Sequence, residues 1–234
     1  PFAENVLNHS HGAVITSATL RDQKNWDFAT ARTGLNYILE PPAKTEVPSP
    51  FNYIKQTRVF VVSDIDKNNL DQLAAAYREL MVASGGGALG LFTSIFRLRQ
   101  VHQRLVQRPE MDKLMLLAQH VDPLDTGTLV DIFREEENSC LLGTDAVRDG
   151  IDVPGQSLRL MIYDRVPWPR PTILHKARKN YFEMEKTDFK YDDALTRLKL
   201  KQAFGRLIRQ IDDHGIFIIL DRAMPSRLKS SFPE

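Results

Sequence analysis

The chain has 234 residues, 42% of them apolar, which is enough for a proper core and allows one large domain or one domain plus part of another. Its 31 basic and 30 acidic residues leave a net charge of +1, so no global field draws it to nucleic acid and any basic surface must be local. A single cysteine, Cys140, excludes an intrachain disulfide framework and a four-cysteine metal site, the six histidines show no metal-ligand spacing, and no run approaches the ~20 apolar residues of a membrane helix. With no signal peptide and Pro in first place, the expectation is a piece of a longer, soluble, intracellular protein.

The predicted elements follow in order. Residues 12–20, GAVITSATL, read as a short buried strand entering a loop of small hydroxyl residues. Residues 22–31 read as a short helix, with Trp26 packed into a core. Four of the thirteen prolines fall in 40–52, which rules out a regular helix and marks an extended linker and a domain boundary. A β-branched strand follows at 59–65, then a helix over 68–84 with apolar residues at 70, 73, 74, 77, 80 and 81, capped by Asp66 or Asn68. The Gly85-Gly86-Gly87 run is no phosphate loop, because no G-K-[ST] follows and the glycines precede a strand; it is a turn into the strand 88–94. Thr93 and Ser94 open the next helix, 94–107, either as a phosphate-backbone site or merely as its cap. That helix and its end carry Arg97, Arg99, Arg104 and Arg108 with no acid among them, lining a nucleic-acid path or forming a solvated face.

A strand at 113–119 and a helix at 126–137 lead to SCLLG, the strand 139–143, with Cys140 a buried small hydrophobe. Polar residues gather past its end: Thr144, Asp145, Arg148, Asp149 and Asp152, with Gly150 and Gly155 fitting tight turns. Ligands of parallel α/β sheets sit outside the carboxyl ends of strands. A strand at 158–164 enters a proline-broken loop, where Trp168 beside Arg165 and Arg170 either stacks on a base or anchors the loop. A helix at 172–186 precedes a long one capped by Asp192 or Asp193. On that helix Gln202, Arg206 and Arg209 stand at spacings of four and three, one stripe opposite apolar cover from Leu198, Leu200, Ala203, Leu207, Ile208 and Ile211. Two arginines one turn apart can grip a phosphate bidentately, as lysine cannot; a solvated basic face is the alternative. Gly205 suggests close packing against that turn, Gly215 stops the helix, and GIFIIL is the last strand, 215–221.

Gln-Ala-Phe-Gly-Arg-Leu-Ile-Arg, 202–209, resembles the Q-x-x-G-R-x-x-R signature of superfamily-two helicases, and the longer string running into Ile-Leu-Asp-Arg resembles the DinG/XPD-type DNA helicases. Ser17-Ala18-Thr19 is similar to the coupling motif of that family, and Phe92-Thr93-Ser94 to its fourth motif. Residues 148–155 resemble the core W-E-G-[IV]-D-x-P-G, with Arg148 in place of tryptophan and Asp149 in place of glutamate. Trp168 stands where the family has the phenylalanine of L-P-F-x-x-P.

The six strands alternating with helices predict an α/β fold, a parallel sheet with helices on both faces. The resemblance makes it RecA-like: residues 51–234 as a second motor domain, residues 1–50 as a remnant of the first plus a linker. It implies that Arg206 and Arg209 stabilise the transition state of ATP hydrolysis, that Gln202, Asp149, Gly150 and Asp152 contact or orient the nucleotide, and that Thr93, Ser94 and Thr144 grip DNA. Ser17, Ala18 and Thr19 would couple the two. No G-x-x-x-x-G-K-[ST] loop and no D-E-A-H-type acid pair is present, so ATP and Mg²⁺ would be held mainly by an upstream motor domain, and this piece alone would hydrolyse negligibly. No residues are expected to ligate metal. The implied partners are that upstream domain and single-stranded or forked DNA, unwound 5′ to 3′ in repair or replication, in the bacterial cytoplasm at the nucleoid, with no membrane. Two other readings stay open: a helicase-like nuclease or translocase, and a non-catalytic nucleic-acid-binding module with the helicase fold.

Overall fold

The computed structural model describes residues 2–21, 25–185 and 190–233. The chain divides into two compact units, Pro1–Pro50 and Phe51–Glu234.

In the first unit α1 (Phe2–Asn5) is followed by α2 (Asp27–Thr33), which buries Phe28, Ala29 and Thr30. Gly34 ends α2 in the left-handed conformation, φ +80°, which glycine adopts without strain. Of the helix expected over 22–31, residues 22–24 lie outside the described residues, and Trp26 is half-buried just before α2. Residues 12–16 form no strand, contrary to expectation: Val14 is 91% exposed. A strand needs a neighbouring edge to satisfy its N–H and C=O groups, and no other described segment of the unit supplies one.

The second unit begins with a short helix α3 (Tyr53–Gln56) and then alternates strand and helix: β1 (Thr57–Val61), α4 (Leu70–Ser84), β2 (Ala88–Leu91), α5 (Ile95–Leu105), β3 (Met115–Ala118), α6 (Thr126–Glu135), β4 (Ser139–Gly143), α7 (Asp145–Gly150), β5 (Leu160–Tyr163), α8 (Ile173–Glu185), α9 (Tyr191–Leu207) and β6 (Gly215–Ile219). The sheet is wholly parallel in the order β1-β6-β5-β2-β4-β3. All six expected strands are present, each ending short of its apolar run except β4. Lys186, the expected end of the helix before α9, lies outside the described residues.

Alternation along the strands sorts the side chains into two cores. Leu89, Leu141, Met161, Tyr163, Phe217 and Ile219 pack with Leu129 and Phe133 of α6, Val147 of α7 and Leu200, Ala203, Phe204 and Leu207 of α9. Ala88, Cys140, Leu142, Ile162 and Ile218 pack on the other face with Leu73, Tyr77 and Met81 of α4 and Leu98, Val101 and Leu105 of α5. Helices on both faces explain why β4 and β5 are buried throughout rather than alternating.

Several caps differ from expectation. Asn69, not Asp66 or Asn68, caps α4, its side chain accepting from the N–H groups of Asp71 and Gln72. Lys190 stands at the N-cap of α9, and Asp192 and Asp193 lie inside its first turn. The three glycines 85–87 all have positive φ, +66°, +97° and +57°, and the N–H groups of Gly85 and Gly86 close the end of α4. Gly205 has open space around its Cα among the described residues, so close packing is not its reason.

Candidate functional site

The carboxyl ends of the strands gather most of the polar residues named from sequence. Beyond β2, the N–H of Thr93 donates to Oδ1 of Asp164 at 3.0 Å, and Oγ of Ser94 accepts from the N–H of Arg97 at 3.3 Å, capping α5. Beyond the neighbouring strand β4, Thr144 donates from both its N–H and its hydroxyl to Oε1 of Gln119, at 3.0 and 2.9 Å. Both threonines and Ser94 are half-buried. Asp164 is fully buried, and Nε of Arg97 lies 2.5 Å from its Oδ2. Burial pushes the Asp164 carboxyl up from its ordinary value, with Arg97 pulling against it. Arg97 also donates to the carbonyl of Lys67 at 2.7 Å, so this arginine of the basic stretch braces the strand ends from inside. Lys67 in turn reaches Asp221 at 2.6 Å, and Asp221 accepts from the N–H of Val166 at 3.2 Å. Trp168, two residues on, is 39% exposed.

The second cluster lies where α7 and its following turn meet the end of α9. Arg148 is buried and bonds Asp145 at 3.0 Å and Asp149 at 2.9 and 2.7 Å. It is therefore covered by its ion pairs to the exposed Asp145 and Asp149, rather than offering a flat stacking surface. Lys199 of α9 reaches the other oxygen of Asp145 at 3.0 Å and ties the two helices. Arg206, in the last turn of α9, donates to the carbonyls of Ile151 at 2.8 Å and Asp149 at 3.0 Å. Partial burial lowers the Arg206 pKa from its ordinary value, and the neighbouring Arg209 adds to that, with Asp152 and Asp149 opposing. Nε of Arg209 stands 3.1 Å from Oδ1 of Asp152, whose side chain is 73% exposed. Gln202, Asp149 and Gly150 are exposed, with nothing near the Gly150 Cα among the described residues.

The expected single stripe of Gln202, Arg206 and Arg209 is corrected in one respect. The helix ends at Leu207 and Ile208 is extended (φ −121°, ψ 114°), so Arg209 stands in the following loop. The cause is Asp213, a 6% exposed carboxylate that sequence reasoning passed over. Its Oδ2 accepts from the N–H groups of Arg209 at 2.8 Å and Gln210 at 2.7 Å, and its Oδ1 from the N–H of Gly155 at 3.1 Å. Gln56 holds the same loop, donating to the carbonyls of Ile211 and Asp213 at 2.9 and 3.1 Å. Ile211, expected as apolar cover, is 72% exposed on this loop. Gln119 was also missed. An acid two residues before a core glycine-led strand was the only available signal for Asp213; Gln119 carried none.

In the first unit Oγ of Ser17 and Oγ1 of Thr19 are 3.2 Å apart, the N–H of Thr19 also donates to Ser17 Oγ at 3.2 Å, and Ala18 is exposed. Among the described residues no group of three His, Cys, Asp or Glu could hold a metal ion, and no helix is long and apolar enough to cross a membrane.

With this geometry in hand, comparison with known proteins is decisive. Residues 77–234 match the model of the helicase C-terminal domain family. The chain belongs to that family. This helicase C-terminal domain is 32% identical over 227 residues to the ATP-dependent helicase DinG of Mycobacterium tuberculosis, covering 94% of the chain and 33% of that protein. It is 31% identical over 235 residues to the ATP-dependent DNA helicase YoaA of Escherichia coli, covering 97% of the chain and 35% of that protein. It is also 31% identical over 237 residues to the 3'-5' exonuclease DinG of Bacillus subtilis, covering 94% of the chain and 25% of that protein. The chain thus spans between a quarter and about a third of these relatives. Among solved structures the fold is similar to an XPD helicase (TM-score 0.54, 17% identity, 71% of this chain and 31% of that one) and to S. tokodaii Xpd4 (TM-score 0.56, 13% identity, 79% and 37%).

Proposed function

We propose that this chain is the C-terminal motor half of an ATP-dependent DNA helicase, residues 51–234 forming the second motor domain and residues 1–50 a remnant of the first with its linker. The observation that carries the reading is the convergence of two guanidiniums, Arg206 and Arg209, on the turn 149–152. Both are partly open to solvent, and two planar forks side by side fit the phosphate end of a nucleotide. ATP would supply a γ-phosphoryl group whose transfer spreads negative charge over its oxygens. Arg206 and Arg209 would meet that charge, Gln202 would contact the nucleotide from one turn back, and Asp152 would orient Arg209. Asp149 and Gly150 would form the rim of the same turn. Mg²⁺ finds no ligand set among the described residues and would be held by the opposite motor domain, with ATP. Thr93, Ser94 and Thr144, at the ends of adjacent strands, would hold a DNA backbone independently of sequence, and Ser17–Thr19 would couple the two events.

On this reading the parent protein moves 5′ to 3′ along single-stranded DNA and unwinds forked duplexes, in repair or replication, at the nucleoid of a bacterial cytoplasm. The relatives named ATP-dependent helicases support it. A second reading, a helicase-like nuclease, draws on the relative named a 3'-5' exonuclease. A cluster of metal-binding acids elsewhere in the parent would favour that one.

The test is ATP hydrolysis by the parent protein with and without single-stranded DNA, beside its Arg206→Ala and Arg206→Lys variants. DNA-stimulated turnover that falls by ~10³ or more in the alanine variant, and is not restored by lysine, is expected of a finger arginine. Turnover indifferent to both DNA and Arg206 would sink the proposal.

A further inference from the structure

The basic stretch at the end of α5 is only partly used by the site above. Arg97 is buried on Asp164, and Arg99 donates to the carbonyl of His120 at 3.2 and 3.0 Å. Arg104 and Arg108 remain, and they meet α4 in a cavity of about 80 Å³ lined by Asp71, Ala74, Ala75, Arg78, Arg104, Leu105 and Arg108. Because α4 and α5 cover one face of the sheet and α7 and α9 the other, this cavity lies on the opposite face from Arg206 and Arg209.

We propose that the α4–α5 cavity is a phosphate-binding site, separate from the one at Arg206 and Arg209. Three guanidiniums line it against one carboxylate. Arg104 donates from Nη1 to the carbonyl and Oε1 of Gln100 at 3.0 and 3.1 Å, and its Nε lies 2.6 Å from Oδ1 of Asp71, an 84% exposed carboxylate that an incoming anion can displace from the guanidinium. Arg78 is held loosely, by Glu79 at 3.5 Å and Glu110 at 4.0 Å, and neither glutamate lines the cavity. The Arg108 side chain has no hydrogen bond or ion pair among the described residues, and it is exposed. Ala74, Ala75 and Leu105 give the cavity an apolar floor, which limits competing water and favours the weakly hydrated guanidinium over other cations as its counter-charge. The space admits a compact anion such as a phosphate, and the choice of phosphate rests on the three guanidiniums that line it. Such a site takes either a free phosphate or one phosphate of a strand whose bases face outward.

The experiment uses the 234-residue chain and follows the arginine Nε–H signals by NMR while inorganic phosphate, and separately oligothymidylate, is titrated in. The signals of Arg78, Arg104 and Arg108 should move. The double variant Arg78→Gln/Arg108→Gln should weaken binding about 25-fold, at ~5-fold for each unit charge removed at ~4 Å in water. Asp71→Asn, an exposed change on the helix surface, should tighten it about 5-fold by removing the one carboxylate that competes for Arg104 Nε. If oligothymidylate moves the same signals, competes with phosphate and shows a salt slope reduced in the double variant, the ligand is a strand. If phosphate alone moves them, it is a free anion. If neither moves them, or Asp71→Asn fails to tighten phosphate binding, the site does not exist. A negative result with Arg206→Ala leaves this measurement untouched, because it reads α4 and α5 alone.

Discussion

Replacing Asp213 with alanine should be strongly destabilising. The carboxylate accepts three backbone N–H groups from two segments far apart in sequence, Gly155 on one side and Arg209 and Gln210 on the other. A hydrogen bond to a charged group contributes ~1.5–3 kcal/mol, and a buried donor left without a partner costs ~1–3 kcal/mol. Gln210 is exposed, so water can reach its N–H, and the sum for Asp213→Ala comes down to about 3–5 kcal/mol. Asp213→Asn keeps one oxygen for the pair at Arg209 and Gln210 and turns an NH₂ toward Gly155, so its cost should be about 1–3 kcal/mol. Urea unfolding followed by circular dichroism gives both values. In the parent protein the alanine variant should also lose DNA-stimulated turnover, because Arg209 takes its position from this bond. Two variants equal to each other and within about 1 kcal/mol of the unsubstituted chain would refute the reasoning, since the carboxylate would then carry neither the turn nor the loop.

Three further outcomes are expected. Gly86→Ala should destabilise by about 3 kcal/mol or more, because an added Cβ would lie 2.5 Å from backbone atoms of Asn138 at φ +97°; Gly85→Ala, which meets only Arg159 at 3.8 Å, should cost the ~1–2 kcal/mol of left-handed strain, both read from urea midpoints. Burial pushes the Cys140 thiol up to about 12, so Cys140 should resist Ellman's reagent at neutral pH until the chain unfolds. Burial lowers the His102 pKa, with Asp122 opposing, so the folded chain takes up this proton less readily than the unfolded one. Its contribution is complete above the unfolded value of ~6.5 and is lost as pH falls below it; His102→Gln should flatten the acid limb of the stability curve there.

The sheet was legible because each strand is an apolar run between turn signals, and both faces of a parallel sheet must be apolar. Strand ends were read too far at Phe92, Gln119 and Leu220 because burial continues into the loops after the ladder bonds stop. The cap of α4 was misread among Asp66, Asn68 and Asn69, three residues of equal capping chemistry that only backbone direction separates. Segment 12–16 had the pattern of a strand but no edge to join. The arginines of α5 looked alike in sequence, yet Arg97 closes a buried pair with Asp164 across 67 positions. Long-range partners of this kind leave no periodic trace.

The end of α9 shows how such a partner changes the chemistry read from a motif. Spacing alone runs the helix through Arg209 and puts both arginines on one rigid face. Asp213 instead captures the N–H groups of Arg209 and Gln210, which a continuing helix would have turned to carbonyls four residues back. Arg206 therefore takes its position from α9 and from the carbonyls of Asp149 and Ile151, while Arg209 takes its position from Asp213 and, through it, from the turn at Gly155. The two guanidiniums rest on different supports that meet at the turn 149–155. A displacement of that turn moves the acceptors of Arg206 and the anchor of Arg209 together, whereas a displacement of α9 moves Arg206 first. Substitutions at Asp213 and along α9 should accordingly separate the two arginines, which a single rigid stripe would not permit.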